Sequence, residues 1–132
     1  MTDLLVVDAS AILVTLLEQG ERAAAVARRC AAAALVAPDL IGYEVLNVLR
    51  RRRAAGRFSD ADARRAVDAW RASPVELWPL RSFDDRLWEL TGAMSAYDAA
   101  YVALAERLDT PLLTADARLS RAPGIRAEIV LV

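Results

Sequence analysis

Four carboxylates stand in apolar surroundings, and their placement is the first pointer to chemistry. Asp8 follows the run Leu4-Leu5-Val6-Val7 without a break, in the stretch VVDAS. Asp116, in LLTADARL, repeats the arrangement: an apolar strand, a hydroxyl residue (Thr114), then an acid. Glu44 lies in PDLIGYEVLNVLRR among Leu40, Ile41, Val45 and Leu49, and Asp98 lies in SAYDAAYVALA among alanines and tyrosines. Burying an unpaired carboxylate is costly, so each needs a partner, a proton or a site that wants negative charge. Carboxylates brought close together repel, and their pKa values rise unless a cation neutralises them. An all-oxygen cluster without histidine suits a hard divalent cation, Mg²⁺ or Mn²⁺ rather than Zn²⁺.

Each acid also has a purely structural reading. Asp116 can cap the helix that follows it, and Asp8 can do the same in competition with Ser10. Asp98 falls in the first turn of a helix, where a negative charge meets the helix dipole at a gain of about 0.3–1 kcal/mol. Glu44 can lie on a solvated face or pair with Arg51, two turns along the same side.

The remaining composition narrows the chemistry. The chain has no histidine, and all 17 of its cationic side chains are arginine. Imidazole catalysis, Schiff bases, Ser/Lys dyads and P-loop phosphate binding are therefore excluded. The formal net charge of −1 is neutral evidence on nucleic acid, because a local basic patch vanishes in the sum. The lone Cys30 forms no internal disulfide and suits a reducing compartment. No leader pattern and no membrane-length apolar run is visible, so a cytoplasmic protein without membrane association is expected. With 132 residues, 56% of them hydrophobic, one domain spanning 1–132 is expected.

The elements that must position these acids alternate along the chain. Strands are expected at 4–7, 35–37, 75–79, 112–114 and 127–132. Helices are expected at 9–18, 21–34, from an Asp39 cap through 55, at 60–72 behind a Ser59 cap, at 83–94, at 96–108 behind a Ser95 cap, and at 115–122. Short apolar strands alternating with amphipathic helices predict an α/β fold: three layers, α/β/α, around a mostly parallel sheet of four to five short strands. In such sheets ligands bind beyond the carboxyl ends of the strands, where strand order reverses. That rule puts Asp8 at the mouth of the sheet.

At these residues the chain resembles the PIN-domain ribonucleases, and among them the VapC-type toxins of bacterial toxin–antitoxin pairs. VVDAS, PDLIGYEVLNVLRR, SAYDAAYVALAERL and LLTADARL occur in the family's order and span nearly the whole chain. The resemblance implies a PIN-like fold and makes Asp8, Glu44, Asp98 and Asp116 the acidic quartet around a catalytic metal. It makes Ser10 and Thr114 hydroxyl neighbours that orient ligands or water. It further implies Mg²⁺-dependent hydrolysis of RNA phosphodiester bonds, with Mn²⁺ as a possible substitute, leaving 5′-phosphate and 3′-hydroxyl ends. A homodimer and a cognate VapB-type antitoxin that offers an arginine to the acids are implied as well.

Other features carry two readings. Arg50–Arg53 close the Glu44 helix, either as solvated cations complementing its dipole or with Arg51 as an RNA phosphate contact. Trp70, Trp78 and Trp88 are expected in the core or an interface rather than as base-stacking platforms. Tyr97 and Tyr101 are expected to pack, with one hydroxyl able to reach the site. A receiver domain and a haloacid-dehalogenase-type phosphatase match poorly, because both generally need a lysine and the latter a second acid where Ser10 stands. A non-catalytic PIN-fold module that binds metal, RNA or protein is the alternative from a different class.

Overall fold

A computed structural model describes residues 2–132. It holds five strands, β1 (Leu4–Val7), β2 (Ala34–Pro38), β3 (Val75–Trp78), β4 (Leu112–Thr114) and β5 (Ile129–Leu131). All pair in parallel in the order β3-β2-β1-β4-β5. The seven α-helices are α1 (Ala9–Leu17), α2 (Glu21–Ala31), α3 (Ile41–Ala54), α4 (Asp60–Ala72), α5 (Asp84–Leu90), α6 (Ala96–Leu108) and α7 (Ala117–Arg121). Helices α1 to α4 pack on one another and α5 packs on α6, so helices flank the sheet as expected for three layers.

The central strands β1 and β4 are buried almost throughout, from Leu5 to Val7 and from Leu112 to Thr114. Both faces being covered explains why they read as continuous apolar runs without alternation. Helix α6 is the most buried helix: Ala99 to Ala105 are all at most 2% exposed. Its four alanines in that span let the backbone lie close over β1, β2 and β4. The chain runs outward from β1 through β2 to β3, then restarts on the other side with β4 and β5. The sheet therefore reverses between β1 and β4, and this crevice is where a ligand site belongs.

Several boundaries differ from expectation. Helix α2 ends at Ala31, not at residue 34, because Ala34 is already paired with Leu4 in the sheet; an alanine run does not mark its own end. Asp39 does not cap α3: Leu40 precedes the helix, and the Asp39 N–H donates to Trp78 O. Helix α5 stops at Leu90, with turns from Thr91 to Met94, where Gly92 stands. Strand β5 is confined to 129–131 and β3 ends before Pro79, which has no N–H to give a sheet. Trp70 and Trp78 pack against the core, whereas Trp88 is 76% exposed and lies outside it.

Candidate active site

The site begins where β1 and β4 end side by side. Asp8 caps α1 and is only 5% exposed. Its Oδ1 accepts the Ser10 hydroxyl at 2.6 Å and the Ala11 N–H at 3.0 Å, and its Oδ2 accepts the Thr114 hydroxyl. Each hydroxyl also accepts a backbone N–H from the turn after β4: Ser10 from Ala115 at 2.8 Å, Thr114 from Asp116 at 3.0 Å. With those N–H groups approaching from the loop, the hydroxyl protons point to Asp8, and the ends of the two central strands are tied through one carboxylate. Asp8, not Ser10, is therefore the cap of α1; Ser10 is committed across the crevice instead. Burial pushes the Asp8 carboxyl above its ordinary value and the Asp116 charge adds to this, against the two hydroxyls and the Ala11 N–H.

Glu44 reaches the same crevice from α3. It has no ion pair with Arg51; Tyr101 of the buried helix α6 donates its hydroxyl to Glu44 Oε1. Burial raises the Glu44 carboxyl, and the charges of Asp8 and Asp98 raise it further against the Tyr101 bond. The same burial and the Glu44 charge push the Tyr101 phenol up, so it stays a proton donor to Glu44. Of the two tyrosines flanking Asp98, Tyr101 supplies the reaching hydroxyl, and Tyr97 stands 65% exposed.

Asp98 occupies the first turn of α6, whose Ser95 cap accepts the Asp98 N–H at 3.2 Å. Asp116 caps α7 as its structural reading anticipates, accepting the Arg118 N–H at 2.9 Å. The Arg118 guanidinium also forks onto it, Nε to Oδ1 at 3.1 Å and Nη2 to Oδ2 at 2.7 Å, and holds its carboxyl below the usual range. Arg118 went unread in the sequence, although the acid–arginine spacing in LLTADARL is visible there.

The electrostatics link the four acids into one field, since Asp8 feels Asp116 and Glu44 feels both Asp8 and Asp98. Among the described residues, however, no three carboxylates already stand in an arrangement that would hold one ion. Asp116 is engaged by its own chain, the Arg118 guanidinium forking onto both of its oxygens. The donor set itself is all oxygen, and the burial that raises Asp8 and Glu44 is a cost that a bound cation relieves. Chemically the residues fit a hard divalent cation. Of the Asp8 oxygens, Oδ1 already accepts two bonds and Oδ2 one, so Oδ2 retains a lone pair for a ligand.

Arg51 lies at the far end of a groove that opens on this crevice. Its neighbour Arg50 bonds Asn47 at 3.3 Å. Among the described residues, Arg51, Arg52 and Arg53 have no carboxylate within ion-pair distance.

Comparison with known proteins agrees with this geometry. The PIN domain family model matches residues 5–125. The VapC ribonuclease Mb0985 of Mycobacterium bovis is 42% identical over 130 residues, covering 98% of each chain. The crystal structure of PAE2754 from Pyrobaculum aerophilum superposes with a TM-score of 0.68 at 25% identity, covering 97% of this chain and 84% of that one. A VapBC2 structure from Rickettsia felis, bound to a DNA fragment from its promoter, shares the fold at a TM-score of 0.64 and 10% identity, covering 96% of this chain and 98% of that one. A buried acid at the switch point of a parallel sheet, with Asp116 and Glu44 acting on it and Asp98 acting on Glu44, and relatives alike from end to end, place the chain in the PIN-domain family, among the VapC-type ribonucleases.

Proposed function

We propose that this endoribonuclease hydrolyses RNA phosphodiester bonds at the crevice between β1 and β4, with Asp8, Glu44, Asp98 and Asp116 holding Mg²⁺, or Mn²⁺ in its place. The observation that carries this reading is Asp8: a carboxylate 5% exposed, fixed by two hydroxyls, with one oxygen still able to accept. When bound, the cation supplies neutralisation of phosphate charge and acidification of water. The chain's own residues do the rest. Ser10 and Thr114 hold Asp8 by donating to its two oxygens, their own hydroxyls standing 3.3 Å apart. Tyr101 fixes Glu44 and favours its ionised form. Asp116 becomes available as Arg118, 78% exposed in its side chain, swings into solvent. Arg51 lies on the substrate's path as a phosphate contact.

The likeness to VapC proteins supports a cognate VapB-type antitoxin as partner, and the same acids suit an arginine from it, as Asp116 already accepts one from its own chain. A homodimer is part of this proposal. Cleavage of labelled total RNA by antitoxin-free protein, in Mg²⁺ and in EDTA, tests the reading with Asp98→Asn alongside. Metal-dependent cleavage to 5′-phosphate ends, lost in a folded Asp98→Asn, is the expected result. Equal cleavage by both proteins, or no cleavage together with no metal binding, would sink it; the latter favours the non-catalytic binding module.

A further inference from the structure

Helix α3 presents two different stripes. Ile41, Val45 and Leu49, each four apart, are buried in the core. A second stripe, Tyr43, Glu44, Asn47 and Arg51, lines a groove of about 570 Å³ together with Ser10 of α1 and Tyr97 of α6. The groove is graded. At one end Ser10 and Glu44 belong to the acid crevice, and at the other stands Arg51, about 10 Å farther along the helix axis. Between them the lining adds the apolar Leu13, Leu40 and Val48, an amide, Asn47, and two aromatic rings that the fold leaves uncovered, Tyr43 at 77% and Tyr97 at 65% exposure. Beyond Arg51, the guanidinium groups of Arg52, Arg53 and Arg57 likewise have no carboxylate within ion-pair distance among the described residues. Arginines elsewhere are mixed among the described residues, Arg22, Arg28, Arg64, Arg65 and Arg71 being ion-paired and Arg29, Arg81, Arg107, Arg121 and Arg126 not; what sets this end of α3 apart is that the unpaired guanidinium groups stand side by side.

We infer that this groove is a nucleotide subsite: an unpaired RNA base next to the scissile bond stacks on Tyr43 and Tyr97, and the following phosphate meets Arg51. The inference rests on the ribonuclease reading above and adds what the enzyme holds beside the bond it cuts. Charge complementarity selects the occupant. A polyanion with flat faces matches exposed rings followed by unpaired guanidinium groups, while a purely apolar helix would leave Asn47, Glu44 and Arg51 unmatched. Stacking is indifferent to which base is present, so Asn47, beside the rings, is the group placed to read an edge.

The test uses the full chain carrying Asp98→Asn, so that RNA is not consumed, with fluorescein-labelled oligoadenylate and oligouridylate as probes in EDTA. Tyr43→Ala and Tyr97→Ala should each weaken binding about tenfold without changing its salt dependence. Tyr43→Phe should bind like its parent, because the ring and not the hydroxyl is used. Arg51→Ala should lower the salt slope by about one. In the cleaving protein, Tyr43→Ala should raise KM with little change in kcat and redistribute the cut sites. Unchanged affinity in both alanine variants, or no binding of either probe at low salt, overturns the subsite. So does loss of antitoxin binding in those variants with RNA binding intact, which gives the groove to the protein partner. Tyrosine-dependent RNA binding by a wild-type chain that cleaves nothing would defeat the nuclease reading and leave the subsite standing. Metal-dependent cleavage with tyrosine-independent binding would do the reverse.

Discussion

Asp8 is held at a cost to the fold, and that cost is measurable. Its carboxyl is raised above the ordinary value of 3.8, first by burial. The folded state therefore takes up its proton at higher pH than the unfolded chain does. The stability it contributes is fully present below the unfolded value and is lost as pH rises through the folded one. At neutral pH without a cation, Asp8 destabilises. Asp8→Asn keeps the shape, retains an oxygen for Ser10 and Ala11, replaces the acceptor of the Thr114 hydroxyl with an amide NH₂, and removes the buried charge. Denaturant titration in EDTA should show the Asp8→Asn protein more stable at neutral pH by on the order of 1 kcal/mol, while cleavage is lost. The difference should shrink as pH is lowered toward the ordinary carboxylate range, where Asp8 becomes neutral too. A variant less stable than wild type at neutral pH would mean that the hydroxyl bonds outweigh the desolvation. The acid itself was legible in VVDAS because a strand ran into it; its bonds to Ser10 and Thr114 join residues more than a hundred positions apart in the case of Thr114, which no local pattern displays.

Between elements, one guanidinium fastens the half of the molecule remote from the site. Arg86 of α5 forks onto Glu106 of α6 at 2.6 and 3.2 Å, reaches Glu89 at 3.1 Å and donates to Gly124 O at 2.7 Å. Glu106 also accepts the Arg126 N–H at 2.6 Å, so α5, α6 and the segment leading to β5 meet at one carboxylate that is 9% exposed. Burial would raise Glu106, but Arg86 and the Arg126 N–H outweigh it and hold the carboxyl low. A depressed folded value contributes stability above the unfolded value, and that stability is lost as pH falls through the folded one. Arg86→Met should cost roughly 2–3 kcal/mol at pH 7, because it leaves a buried carboxylate without its cation. Equilibrium unfolding repeated at acid pH should show the penalty shrinking as Glu106 protonates; a pH-independent penalty would mean packing, not charge, is what Arg86 supplies. Element types were legible from periodicity and caps: Ser59 and Ser95 cap α4 and α6 as their positions predict. Ends set by tertiary pairing were not, as with Ala34, drawn from an alanine-rich helix into β2. The Arg86 hub was not legible either, since its partners lie 3, 20 and 38 positions away.

On the scale of the whole molecule, the strand order explains why one residue can be both cap and ligand. The sheet reverses between β1 and β4, so the first turn of α1 and the turn into α7 open onto the same crevice, and α3 and α6 bring Glu44 and Tyr101 to its edge. Asp8 and Asp116 cap their helices from that position, which is why their structural and functional readings are not in competition. What the sequence could not display is that Asp116 lies in the fork of Arg118, while burial and like charge raise Asp8 and Glu44. The fold is thus poised to gain from a cation. Thermal unfolding of the full chain should shift upward as Mg²⁺ replaces EDTA and keep rising with the logarithm of its concentration, the stabilisation reaching about 2.7 kcal/mol at a hundred times the dissociation constant. Asp8→Asn and Asp98→Asn should abolish the shift at the same concentration, whereas a general salt effect would persist in both. Arg118→Ala should lower the Mg²⁺ needed by up to about fivefold, because an exposed ion pair is weak and the cation no longer has to displace it. If Arg118→Ala raised that concentration instead, Arg118 would be holding Asp116 in place for the ion, and the guanidinium would belong to the site as its support.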